Sequence, residues 1–66
     1  MEITVNDNTA TFPDGTTVRE LLERLALDGK FVAVERNRHV VPYKTYDETV
    51  LIEGDVLEVV TLVGGG

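Results

Sequence analysis

The chain has 66 residues, 42% of them hydrophobic and 27% charged, and twelve acids against six bases leave a net charge of −6. That length makes one domain, with little room for a deep pocket or a dispersed catalytic set, because a chain this short buries only about 60% of its unfolded surface. The bases, Arg19, Arg24, Lys30, Arg36, Arg38 and Lys44, are scattered, which argues against nucleic acid as the main partner. An acidic balance suits solubility, or docking on a more basic protein. The absence of cysteine excludes disulfides, thiolate metal sites and a nucleophilic thiol. No apolar run approaches the ~20 residues of a membrane span, and the N-terminus lacks a signal-peptide pattern. The expectation is a cytoplasmic protein with no membrane partner.

In chain order, Glu2 to Asn6 alternates polar and apolar, a half-buried strand with Ile3 and Val5 inward. Asp7-Asn8 is the expected turn, and Thr9 to Phe12 the returning strand. Pro13-Asp14-Gly15 closes the hairpin region. A helix follows over Val18 to Leu27. Thr17 and Glu20 have capping-box spacing, and Val18, Leu21, Leu22 and Leu25 form one apolar stripe. Asp28-Gly29 ends it, with Gly29 expected at the left-handed position past the helix.

Phe31 to Arg36 is the next strand, apolar enough to be central, and Asn37-Arg38 turns it. His39-Val40-Val41 is a short strand ending at Pro42, as suits an edge. Tyr43 to Leu51 reads as a loop with room for one helical turn. Glu53-Gly54-Asp55 is a turn, and Val56 to Val63 is the longest strand. The order β-β-α-β-β-β implies a two-layer α+β domain, one helix on a mixed sheet of four to five strands. If the last strand lies parallel beside the first, the architecture is the ubiquitin-like β-grasp; order alone does not fix that pairing.

Residues 1–63 then form the domain, and Gly64-Gly65-Gly66 a flexible tail. Glycines after a strand lose stability, having much entropy to lose and no side chain to pack. They are either a frayed end or a tail that threads a narrow channel to present the carboxylate of Gly66. A carboxylate is a poor acyl donor until it is activated, for example as an acyl-adenylate. The chain has no glycine-rich phosphate loop between a strand and a helix and no metal-ligand cluster, so a partner must do this work. The reading is a carrier rather than an enzyme.

Period two places Val56, Glu58, Val60 and Leu62 on one face of the last strand, with Leu57 and Val59 toward the helix. The same alternation puts Phe31 and Ala33 outward with Glu35, and Val32 and Val34 inside. Phe31, Ala33, Val60 and Leu62 are thus a candidate partner-binding patch.

The runs Val32 to Asn37, Val40-Val41-Pro42, Glu53 to Val60 and Val63 to Gly66 together resemble the ThiS family of thiamine-biosynthesis sulfur carriers. Thr16 to Leu22 is similar to that family too. The likeness covers nearly the whole chain, and its specificity lies in the order and spacing of these runs rather than in one motif. Tyr43-Lys44 departs from it, since many members place a basic residue directly after the proline. The resemblance implies a β-grasp fold, adenylation of Gly66 by a ThiF-like enzyme, and a thiocarboxylate formed with a sulfur-donating enzyme. That thiocarboxylate supplies a ThiG-like thiazole synthase. Gly65 and Gly64 complete the ending. No cofactor is permanently held; the acyl-adenylate and thiocarboxylate are covalent intermediates.

Two alternatives carry different tests. A molybdopterin-type sulfur carrier or a ubiquitin-like modifier keeps the fold, and a modifier would be found joined to lysines. An RNA-associated regulatory β-grasp module would bind RNA at low salt. His39 alone has no catalytic partners at sensible spacing. Tyr43 and Tyr46 read as cover for a core edge. Asp47, Glu48, Glu53 and Asp55 lack a calcium-loop pattern and read as solvated acids, so no metal is expected.

Overall fold

The computed structural model describes residues 1–62. The expected tail residues Gly64, Gly65 and Gly66, and the expected strand end at Val63, lie outside that range. Strands β1 (Glu2–Val5) and β2 (Asn8–Thr11) precede helix α1 (Val18–Arg24). After it come β3 (Val32–Arg36), β4 (His39–Val40) and β5 (Val56–Thr61). They form one five-stranded sheet in the order β2-β1-β5-β3-β4. Strand β5 lies parallel to β1 and antiparallel to β3, so the pairing that sequence order left open is the β-grasp pairing.

Asn6 and Asp7 join β1 to β2 with φ of 48° and 69°. Asn37 and Arg38 join β3 to β4 with 50° and 71°. Positive φ at both positions is what a two-residue type I′ hairpin loop requires, and asparagine tolerates it. The first turn therefore falls one residue earlier than Asp7-Asn8, and β2 begins at Asn8. Each asparagine also ties its loop to β5. The Asn6 amide accepts from Val59 N at 2.7 Å and donates to Val59 O at 2.9 Å, extending the β1–β5 ladder past the turn.

Helix α1 begins at the expected capping box. Thr17 N–H donates to Glu20 Oε1 at 2.9 Å, and Glu20 N–H to Thr17 Oγ1 at 3.2 Å. The next free donors, Val18 N and Arg19 N, reach the carbonyls of Thr49 and Tyr46 at 2.9 and 3.1 Å. The helix stops three residues short of Leu27. Ala26 takes φ 59°, its N–H donates to Glu23 O, and Leu27 N–H donates to Leu22 O, the paired bonds of a Schellman end. The left-handed residue is thus Ala26 and not Gly29. Leu25, expected in the core stripe, caps the helix and is 40% exposed, while Leu27 turns back against the core. Gly29 instead opens a 3₁₀ turn, Gly29–Phe31, capped by Asp28. A Cβ there would lie 3.3 Å from the Tyr46 ring.

Ala26→Gly is expected to raise stability by about 1 kcal/mol in denaturant titration, because the left-handed region costs a residue with a Cβ roughly that much.

The core joins α1 to the inner sheet face: Val18, Leu21 and Leu22 against Ile3, Val34, Leu51 and Leu57, all nearly inaccessible. Leu22→Ala should cost about 2–5 kcal/mol of unfolding free energy. A cost near zero would mean that the stripe is not the core. Tyr46 is buried as well, with its hydroxyl donating to Val32 O at 3.2 Å, so it is core rather than core edge. Burial raises its phenol above the ordinary 10.0. Its contribution to stability is present below about pH 10 and is lost as pH rises beyond that.

Candidate functional site

Among the described residues, the helix covers one face of the sheet and the other is open. On that outer face Val56, Val60 and Leu62 are 46–58% exposed, whereas Leu57 and Val59 beneath are buried, as the alternation predicts. The ladder brings the four patch residues together. Ala33 is the direct cross-strand partner of Val60, and Leu62 N–H donates to Phe31 O at 2.6 Å. Phe31 belongs to the 3₁₀ turn rather than to β3, and is 56% exposed at the sheet's end. Val40, which pairs with Glu35 across β3–β4, adds a further exposed apolar side chain. The opposite half of the face, on β1 and β2, carries Glu2, Thr4, Thr9 and Thr11 in register, so the apolar area is bounded on one side by polar strands.

The patch lies where β5 ends, and Thr61-Leu62 leads directly into Val63-Gly64-Gly65-Gly66. Strand β5 is central in the sheet and is held on both flanks, by β3 and by β1 together with Asn6. The segment leading to the glycines therefore starts from a fixed point beside an apolar surface.

The remaining candidates separate. His39 Nδ1 lies 3.0 Å from Asn37 O, within its own hairpin. Asp47 pairs with Arg19 at 3.0 Å, and Glu53 accepts from Glu2 N–H at 2.9 Å. Asp55, expected to be solvated, is instead 3% exposed. Its carboxylate accepts from Arg36 Nε at 2.9 Å, Asn37 Nδ2 at 3.0 Å and Ile52 N at 2.9 Å. It ties the β3–β4 turn to the start of β5. The four acids do not converge, and among the described residues no group of three or more His, Asp or Glu is placed to hold a metal ion. No helix among them is long and apolar enough to cross a membrane.

One helix on a five-stranded mixed sheet, with its first and last strands parallel at the centre, defines a ubiquitin-like β-grasp protein. The model of the ThiS family matches residues 1–66, and the chain belongs to that family. It is 42% identical over 53 residues to the sulfur carrier protein ThiS of Bacillus subtilis, covering 80% of each chain. It is 39% identical over 66 residues to a thiazole synthase of Paramagnetospirillum magneticum, covering all of this chain but only 20% of the relative's length. The crystal structure of a thiamine biosynthesis protein (ThiS) from Geobacter metallireducens superposes with a TM-score of 0.84 at 33% identity, over the whole of both chains.

Proposed function

We propose that this chain carries sulfur for thiamine thiazole biosynthesis as a thiocarboxylate on Gly66. The observation that carries this reading is the placement of β5. A central strand, paired on both flanks, ends beside an exposed apolar patch and leads into three consecutive glycines.

The chemistry divides between this chain and its partners. A Gly66 carboxylate oxygen attacks the α-phosphorus of ATP within a ThiF-like enzyme. The α–β phosphoanhydride bond breaks, pyrophosphate leaves, and an acyl-adenylate forms. A sulfur nucleophile from a sulfur-donating enzyme then attacks the acyl carbon and expels AMP. With a persulfide as the donor this attack gives an acyl disulfide. A thiol then attacks the donor's sulfur, the S–S bond breaks, and a disulfide forms on the donor side. The thiocarboxylate leaves, to be consumed by a ThiG-like thiazole synthase. The chain's own part is to present the acyl carbon. Gly64 and Gly65 let the backbone pass close walls, and Phe31, Ala33, Val60 and Leu62 dock the domain. The requirement for ATP fits a cytoplasmic protein.

The test is mass spectrometry of the chain ending at Gly66 after incubation with its cognate adenylating enzyme, ATP and a sulfur source. The expected product is heavier by the replacement of one oxygen with sulfur, located on the C-terminal peptide. An unchanged mass would refute the carrier reading, and a link to lysines of other proteins would assign a modifier instead. Leu62→Asp tests the docking patch. Calorimetry should show weaker binding to the adenylating enzyme with little change in unfolding temperature, since Leu62 is 50% exposed. Equal binding would remove the patch from the mechanism.

A further inference from the structure

Glu35 and Glu58 are direct cross-strand partners on β3 and β5, both exposed on the outer face. Like charges placed so destabilise a sheet. Neither carboxylate enters any of the ion pairs among the described residues, and Arg36 beside Glu35 is committed to Asp55. Their surroundings are apolar. Ala33 and Val60 occupy the next outward position along the two strands, Val56 precedes Glu58 by two residues, and Val40 pairs with Glu35 on the far side.

Exposed to water, the pair costs little. A protein surface laid on this face changes that, because displacing water strengthens the repulsion and strips solvent from two unpaired charges. Only a partner that brings a cation to the middle of the contact can cover the patch favourably. Directly opposed side chains start about 4.5–5.5 Å apart, a span that a planar guanidinium can bridge with donors to each carboxylate. Arginine is enriched among interface hot spots, which surrounding contacts shield from water.

We propose that the outer face docks on thiazole synthase by receiving an arginine of the synthase between Glu35 and Glu58, with Ala33, Val40, Val56 and Val60 excluding water around it. The inference rests on the sulfur-carrier reading. The choice of occupant rests on the thiazole synthase relative in which a segment matching this whole chain forms 20% of one polypeptide. That arrangement keeps the carrier-like segment and the synthase at high effective concentration.

The experiment is calorimetric titration of the full chain into the thiazole synthase of the same organism, at low and at high ionic strength. The wild type, the Glu35→Gln/Glu58→Gln double variant, Glu58→Lys and Leu62→Asp are compared, and thermal unfolding of each is followed in parallel. The double variant should unfold at the wild-type temperature or above, because a repulsion has been removed. It should nonetheless bind at least about tenfold more weakly at low salt and show a flatter salt dependence. Glu58→Lys should bind more weakly still. If both charge variants bind like the wild type while Leu62→Asp does not, the cation contact is refuted and the docking face stands. If all variants bind like the wild type, the face itself is wrong. If the wild type forms its thiocarboxylate but does not bind the synthase, this occupant is wrong and the carrier reading survives.

Discussion

Gly65→Val is expected to leave the unfolding temperature near that of the wild type and to abolish most ATP–pyrophosphate exchange by the adenylating enzyme. Stability is spared because, among the described residues, every buried core residue lies between Ile3 and Val59, and the substitution falls six residues beyond the last of them. Exchange is lost for a geometric reason. Attack on the α-phosphorus requires the Gly66 carboxylate within about 3–3.5 Å of it, and a misplacement of roughly 1 Å costs about a hundredfold. A β-branched side chain widens the segment that must pass the enzyme's walls and restricts its backbone. Exchange should therefore fall by about two orders of magnitude or more, with Gly65→Ala falling less. Deletion of Gly66 is a weaker probe. It shortens the tail by about 3.3–3.6 Å but still leaves a Gly-Gly ending. Undiminished exchange by Gly65→Val would end the threading argument.

A large loss of stability is also expected for Asp55→Ala. The substitution leaves Arg36, only 28% exposed, without its carboxylate, and strips acceptors from Asn37 Nδ2 and Ile52 N. Breaking a buried pair by removing one member costs about 3–5 kcal/mol, because the remaining charge and donors stay desolvated. Partial access of water to Arg36 puts the expected value near the lower end, at about 3 kcal/mol. For 66 residues at typical stability per residue the whole domain holds about 3–10 kcal/mol, so a large part of the population should unfold at moderate temperature. Chemical denaturation monitored by far-UV circular dichroism reads this directly. A loss under about 1 kcal/mol would mean that Asp55 is a solvated acid after all. Asp55→Asn should lose less, since one oxygen still accepts.

The sequence carried the repeating features well. Period two in Val56 to Leu62 and in Val32 to Glu35 predicted which side chains are buried, because a strand alternates faces whatever its neighbours do. Thr17 and Glu20 marked the start of α1, since a capping box is closed within four residues. The end of α1 was less legible. Asp28-Gly29 is the stronger local stop, yet Leu27 gains contact with the core by turning back at Ala26, and packing outweighs the cost of a left-handed alanine. The shift of the first turn to Asn6-Asp7 has a similar origin. Asn8 and Val5 pair, and the Asn6 amide finds Val59, which is 53 residues away.

The same distinction applies to the site. Gly64-Gly65-Gly66, the apolar alternation of β5 and the resemblance to the ThiS family were all present in the order of residues, because each is local or is a matter of spacing. What only the tertiary structure decided depends on contacts between distant segments. The parallel β1–β5 pairing sets β5 in the middle of the sheet, and no local pattern encodes which strands become neighbours. Asp55 looks like any acid in a turn until Arg36 and Asn37 arrive from another hairpin to surround it. Tyr46 and Thr49 look like loop residues until their carbonyls meet the free donors of α1. Glu35 and Glu58 are 23 positions apart in the chain and become an opposed pair only through the β3–β5 register. Propensity and periodicity act over a few residues, whereas a desolvated charge or an unpaired backbone group is satisfied by whatever the fold brings beside it.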